Sequence, residues 1–153
     1  MKIGSTVEFG AVRVTAVEAY ARRGFHIRGE GCGFVIEVAD NRIYFSGDTA
    51  GIEEMRGLGK VDTAILSICD NIYAIDPDES VEAIRGLKPG LFIPVHFTPE
   101  DEPDPVPVKG MISTKDPRFF TRKEDPARLA KALEGTGIKV ALLRKLGRQF
   151  TEG

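Results

Sequence analysis

Apolar and polar positions change rhythm along the chain, and each rhythm predicts a different element. Across residues 6–20 the two kinds alternate, with Val7, Phe9, Val12, Val14 and Ala16 on the apolar beat and Phe9-Gly10 interrupting it. That period of two predicts a hairpin. The glycines over residues 29–33 predict a turn, residues 34–38 a strand, Asp40-Asn41 a tight turn, and residues 42–46 the returning strand. Residues 51–58 predict a short helix.

From residue 62 the pattern becomes strand, helix, strand. Residues 62–68 and 91–95 are short, nearly continuous apolar runs, as expected of strands buried on both faces. Between them, Asp76-Pro77-Asp78-Glu79 announces a helix: Asp76 can cap it, Pro77 suits its first turn, and Glu79 completes a capping box. Val81, Ile84 and Leu87 form its apolar stripe, and Lys88-Pro89-Gly90 ends it. A β-α-β unit follows, expected to be right-handed. Residues 97–123 are rich in proline, include the acidic run Glu100-Asp101-Glu102 and show no period, which predicts a long loop acting as a lid or mobile segment. Asp125-Pro126 opens a last helix that Gly135 closes, and residues 138–143 predict a final strand. The expected fold class is α/β, with residues 1–153 as one domain.

Composition narrows the function classes. Lys and Arg number 21 and Asp and Glu 23, for a net charge of -2, and Trp is absent. With no basic stripe interleaved with aromatics, a nucleic-acid partner is not expected. No apolar run approaches the roughly 20 residues of a membrane span. The two cysteines, Cys32 and Cys69, are too few for a disulfide framework, and no signal peptide follows Met1, so a reduced, cytoplasmic setting is expected.

Candidate chemistry rests on few residues. His26 and His96 are the two histidines. His96 directly follows the run at 91–95, and Asp48, in Ser46-Gly47-Asp48-Thr49, follows the strand before it in the same way. Two strands ending at one sheet edge, where ligands of α/β sheets gather, can bring an imidazole and a carboxylate to one metal ion. The ordinary reading is also open: a strand-end histidine can cap a carbonyl, and Gly-Asp-Thr can be a turn whose Asp caps the next helix. Cys69 reads better as a small buried apolar residue than as a nucleophile. Arg22-Arg23 and Arg118 could bind an anion but read as solvated surface, and the acidic run at 100–104 as a charged loop.

Longer stretches carry a resemblance. Val14-Thr15-Ala16-Val17-Glu18-Ala19-Tyr20, His26, Gly31-Cys32-Gly33-Phe34-Val35-Ile36-Glu37 and Arg42-Ile43-Tyr44-Phe45-Ser46-Gly47-Asp48-Thr49 come first. Val61-Asp62-Thr63-Ala64-Ile65-Leu66, Asp76-Pro77-Asp78-Glu79, Leu87-Lys88-Pro89 and Ile93-Pro94-Val95-His96-Phe97 follow. Together they resemble the metallo-β-lactamase superfamily of metal-dependent hydrolases, most strongly over residues 12–97 and more loosely over the terminal helix and strand at 124–147. The resemblance implies a four-layer αββα sandwich with a mixed sheet and hydrolysis at a carbonyl or phosphorus centre by metal-activated water. It implies that Asp48 bridges two metals and serves catalysis, that His96 binds the second metal, and that His26 lies near a third metal-binding stretch. The cofactor would be zinc, though a His/Asp donor set also admits manganese, iron or nickel.

Departures from that pattern matter as much. The family's His-x-His-x-Asp-His segment belongs upstream of residue 12, and no histidine precedes His26. The chain thus resembles the carboxyl-terminal half of the fold, with at best three ligands where each zinc wants about four. Ser67 and Cys69-Asp70 replace the family's Pro and Gly, so the loop there should be reshaped. Two functions follow as expectations: a hydrolase of unknown small-molecule substrate, or a non-catalytic relative serving as an oligomeric or partner-binding module. Either way a half-sandwich leaves one sheet face bare, which predicts a homodimer or a partner supplying the missing half.

Overall fold

The structure, a computed structural model, describes residues 1–21, 26–68, 74–97 and 125–143. Expectations for Arg22-Arg23, Cys69-Asp70, the 98–123 segment with Arg118, and residues beyond 143 lie outside these. Among the described residues seven strands form one mixed sheet whose spatial order is the chain order. β1 (Thr6–Phe9), β2 (Val12–Ala19), β3 (Gly31–Val38) and β4 (Asn41–Phe45) pair antiparallel. β5 (Thr63–Ser67), β6 (Leu91–Val95) and β7 (Lys139–Val140) then continue parallel to β4. Strands β2, β4, β5 and β6 therefore all run in one direction, and the segments after Ala19, Phe45, Ser67 and Val95 leave the sheet at the same edge.

The helix signals act as local chemistry requires. In α1 (Pro77–Leu87) the Asp76 carboxylate accepts from the Glu79 amide at 2.9 Å, and Lys88, at φ +49°, ends the helix in the left-handed region. Pro77, Ser80, Val81, Ile84 and Leu87 form its buried stripe. α2 (Asp125–Ala132) begins with the second Asp-Pro pair inside it, and Gly135 (φ +75°) lies beyond its end.

Five expectations need correction. The glycines at 31 and 33 belong to β3, not to a turn: a Cβ on Gly31 would lie 2.6 Å from the Ala19 carbonyl oxygen, and on Gly33 2.8 Å from those of Phe45 and Ser46. Close backbone approach is what they serve. The β3–β4 turn centres on Ala39-Asp40, with Ala39 at φ +49°. The short helix is a 3-10 turn, Glu53–Leu58, and the final strand is only Lys139–Val140.

The fifth correction concerns β5 and β6, whose burial is not continuous: Phe92 and Pro94 of β6 and Ala64, Leu66 and Ser67 of β5 are buried, and the residues between them are only half-buried. One face of the sheet presents Val35, Tyr44, Ala64, Leu66 and Phe92, which pack with Ile52, Met55, Val81, Ile84, Leu87, Leu129 and Leu133 into the core. The opposite face is also largely apolar. Its rows are Val14, Ile36, Ile43, Thr63 and Leu91, then Phe34, Phe45, Ile65 and Ile93. These side chains are half-buried, and none joins the core cluster.

Candidate functional site

At the edge where β4 and β6 end, Asp48 and His96 come together. Asp48 Oδ1 lies 3.6 Å from His96 Nδ1, with the side chains 40% and 52% exposed, so both are open to solvent. Two donors on one tetrahedral ion, each at about 2.0–2.2 Å, would be separated by roughly 3.4 Å. The pair therefore suits a shared divalent cation, with a nitrogen and an oxygen donor.

Backbone constraints bring the pair together. His96 follows β6 at φ +65°, a conformation rare for residues other than glycine and often held at functional sites. Gly47 sits at φ +60°, and a Cβ there would lie 3.1 Å from the Cys32 carbonyl oxygen. The missing side chains of Gly33 and Gly47 let the loop carrying Asp48 lie against β3.

Two buried hydroxyls flank Asp48. Ser46 Oγ donates to the Gly47 carbonyl at 2.7 Å and accepts from the Ser67 amide at 3.1 Å. Thr49 Oγ1 accepts from the Tyr20 amide at 3.1 Å, with the Tyr20 carbonyl at 3.0 Å and the Ala50 carbonyl at 3.1 Å as acceptors for its proton. Beyond Tyr20, its hydroxyl donates to Glu54 Oε2 at 3.0 Å, Arg28 pairs with Glu54 Oε1, and the Arg28 guanidinium lies 5.5 Å from the Tyr20 ring centroid. Desolvation, then the Glu54 carboxylate, raises the Tyr20 hydroxyl pKa. Glu54 is held below the usual carboxylate range by its own backbone amide, then by Tyr20 and Arg28, against partial desolvation.

His26, in the connection between β2 and β3, leaves from this same edge, and its carbonyl accepts from the Ala21 amide at 2.9 Å. Among the described residues no three His, Cys, Asp or Glu side chains converge as a metal set, so the structure brings two of the three candidate ligands together. Sequence reasoning missed Ser46, Thr49, Tyr20, Arg28 and Glu54. Only Ser46 and Thr49 carried a signal, as hydroxyl residues flanking the candidate aspartate.

The sheet thus has helices on one face and a carboxylate–imidazole pair at the carboxyl edge of its parallel strands, where ligands of α/β sheets gather. The model of the beta-lactamase superfamily domain matches residues 1–97, and the chain belongs to that superfamily. A metal-dependent hydrolase of Pelotomaculum thermopropionicum is 35% identical over 125 residues, which are 73% of this chain and 54% of the relative. The structure of a candidate metal-dependent hydrolase from Parabacteroides distasonis superposes with a TM-score of 0.70 at 25% identity, over 93% of this chain and 56% of that one. Igni18, a metallo hydrolase from Ignicoccus hospitalis, shares the fold with a TM-score of 0.67 at 18% identity, over 94% and 56%. The metallo-β-lactamase fold is thus shown, and the chain spans about half the length of the curated relatives it matches. No helix among the described residues is long and apolar enough to cross a membrane.

Proposed function

We propose that this chain takes part in metal-dependent hydrolysis, with Asp48 and His96 as two ligands of a divalent cation, zinc by preference. The observation that carries this reading is their 3.6 Å approach at a solvent-open sheet edge. The names of the relatives as metal-dependent hydrolases support it. A bound divalent ion supplies Lewis acidity and lowers the pKa of bound water. The chain's own part is to hold a carboxylate oxygen and an imidazole nitrogen side by side and open to a substrate. The pair makes two of about four ligands that zinc takes, so the rest of the sphere comes from outside the described residues. His26 stays with the β2–β3 connection in this reading, and the chain acts in the cytoplasm.

Metal content per chain, measured by plasma mass spectrometry on protein purified without chelator or histidine tag, tests it. About one equivalent is expected, and it should be lost in the Asp48→Ala/His96→Ala double variant. Equal metal in both forms would overturn the assignment of the pair. No metal in either would favour the non-catalytic module.

We also propose that a second copy of the chain covers the bare sheet face. The middle of that face, Ile36, Ile43, Phe45, Ile65 and Ile93, carries no charge, so like packs on like without repulsion. Apolar patches beyond a few hundred Å² mark interaction surfaces, and a two-fold axis lets one patch meet itself. Sedimentation velocity at micromolar concentration should show a dimer that Ile43→Lys/Ile93→Lys converts to monomer. A monomeric unmodified chain would sink the idea.

A further inference from the structure

We infer that the buried hydroxyls of Ser46 and Thr49 are positioning residues that fix Asp48 for metal binding, a role resting on the assignment of Asp48 and His96 as ligands. Both hydroxyl residues are fully buried, whereas Asp48 between them is 40% exposed. An aspartate on a short, solvent-open loop would ordinarily sample several positions. Here the loop is tied down on both sides, and to two different strands.

On the near side, the Ser46 amide donates to the Ile65 carbonyl at 2.9 Å, the last backbone bond from β4 to β5. The Ser67 amide then finds Ser46 Oγ at 3.1 Å, so a side chain takes over as acceptor where the ladder ends. The same hydroxyl donates to the Gly47 carbonyl at 2.7 Å, next to the left-handed Gly47. On the far side, Thr49 Oγ1 closes a ring with both the amide and carbonyl of Tyr20, and the Ala50 amide donates to that carbonyl at 2.9 Å. Asp48 is thereby suspended between the ends of β5 and β2, with its carboxylate facing His96 at the end of β6. Groups that orient a metal ligand through hydrogen bonds commonly change metal affinity by about 10–100-fold when removed.

The test follows Co²⁺ binding to the full chain by its visible absorption, beside thermal melting of each form. Thr49→Val and Ser46→Ala should weaken Co²⁺ binding about 10–100-fold and alter the absorption envelope, while Thr49→Ser should restore both. Leu129→Ala, which loosens the core at α2, should lower the melting temperature and leave the affinity unchanged. Wild-type affinity in Thr49→Val and Ser46→Ala would overturn the inference. An equal loss of affinity in Leu129→Ala would overturn it too, since the effect would then be general loosening. Asp48→Asn separates the underlying assignment: if it binds Co²⁺ as the wild type does, or the wild type binds none, the metal reading itself fails. If Asp48→Asn loses Co²⁺ and Thr49→Val does not, only the positioning role fails.

Discussion

Leu66 and Ile65 are neighbours on β5 and differ in the sheet face on which they stand. Leu66 is fully buried among α1, α2 and the flanking strands, whereas Ile65 shares a half-buried row with Phe34, Phe45 and Ile93. The two faces are alike in residue type and unlike in cover. In a sheet meant to face water on one side, the second face would carry polar residues at every other position. Here β6 carries Leu91, Ile93 and Val95 there and β5 carries Ile65 between Thr63 and Ser67, so the middle of the second face suits cover, while the described residues cover one face.

The largest expected effect tests this contrast directly. Leu66→Ala should cost about 2–5 kcal/mol in denaturant unfolding, as buried Leu truncations do. Ile65→Ala should cost less, about 1 kcal/mol, when the chain is dilute, because part of its surface is already wet. If Ile65→Ala costs as much as Leu66→Ala at every concentration, the chain itself covers the second face. A cost that grows with protein concentration places the cover on a partner.

A smaller effect probes where the covered face meets the site. Gly33→Ala would force a methyl to 2.8 Å from the Phe45 and Ser46 carbonyls, and overpacking of this kind costs about 1–3 kcal/mol. The end of β4 should move with it, so Co²⁺ uptake should fall beside the melting temperature. A stable variant with unchanged uptake would show that β3 and β4 approach less closely than described.

The smallest effect lies in the middle of the covered face. Tyr44 is fully buried and its hydroxyl has no hydrogen-bond partner among the described residues. Tyr44→Phe removes that group and should change stability by no more than about 1 kcal/mol, in the stabilising direction. Burial also pushes the Tyr44 pKa above its ordinary value of 10.0. The unfolded chain then loses this proton first, so Tyr44 lowers stability as pH rises past about 10 and is silent below it. The melting curve of the wild type should fall more steeply above that pH than that of Tyr44→Phe, and parallel curves would show a solvated hydroxyl.

What could be read from the sequence was mainly what is local. Asp76 and Pro77 are adjacent, and the Asp76 cap they announce forms on the Glu79 amide, with Pro77 in the first turn. Asp48 and His96 were legible as a pair because each lies within three residues of the end of an apolar strand run, and parallel strands carry such residues to one edge. Gly31 and Gly33 were misread as a turn because their reason lies in other strands: the carbonyls of Ala19, Phe45 and Ser46. The Thr49 hydroxyl and Tyr20 are 29 positions apart, Ser46 and Ser67 21, and no local pattern marks such pairs. The bare face was foreseen as a consequence of resembling half a sandwich, whereas its apolar rows needed the register of five strands.

The ends of the sheet set how this chain can aggregate. β1 is four residues long and carries Glu8, which pairs with Arg13 across the hairpin, while β7 is two residues long and carries Lys139. Short, charged margins are poor templates for a further strand. Sideways growth into fibrils from these two margins is thereby discouraged, which leaves the broad face for the mate proposed above. A second copy seated there about a two-fold axis would close into a pair and not into an open-ended filament, so the apolar surface would be kept without the hazard that usually attends it.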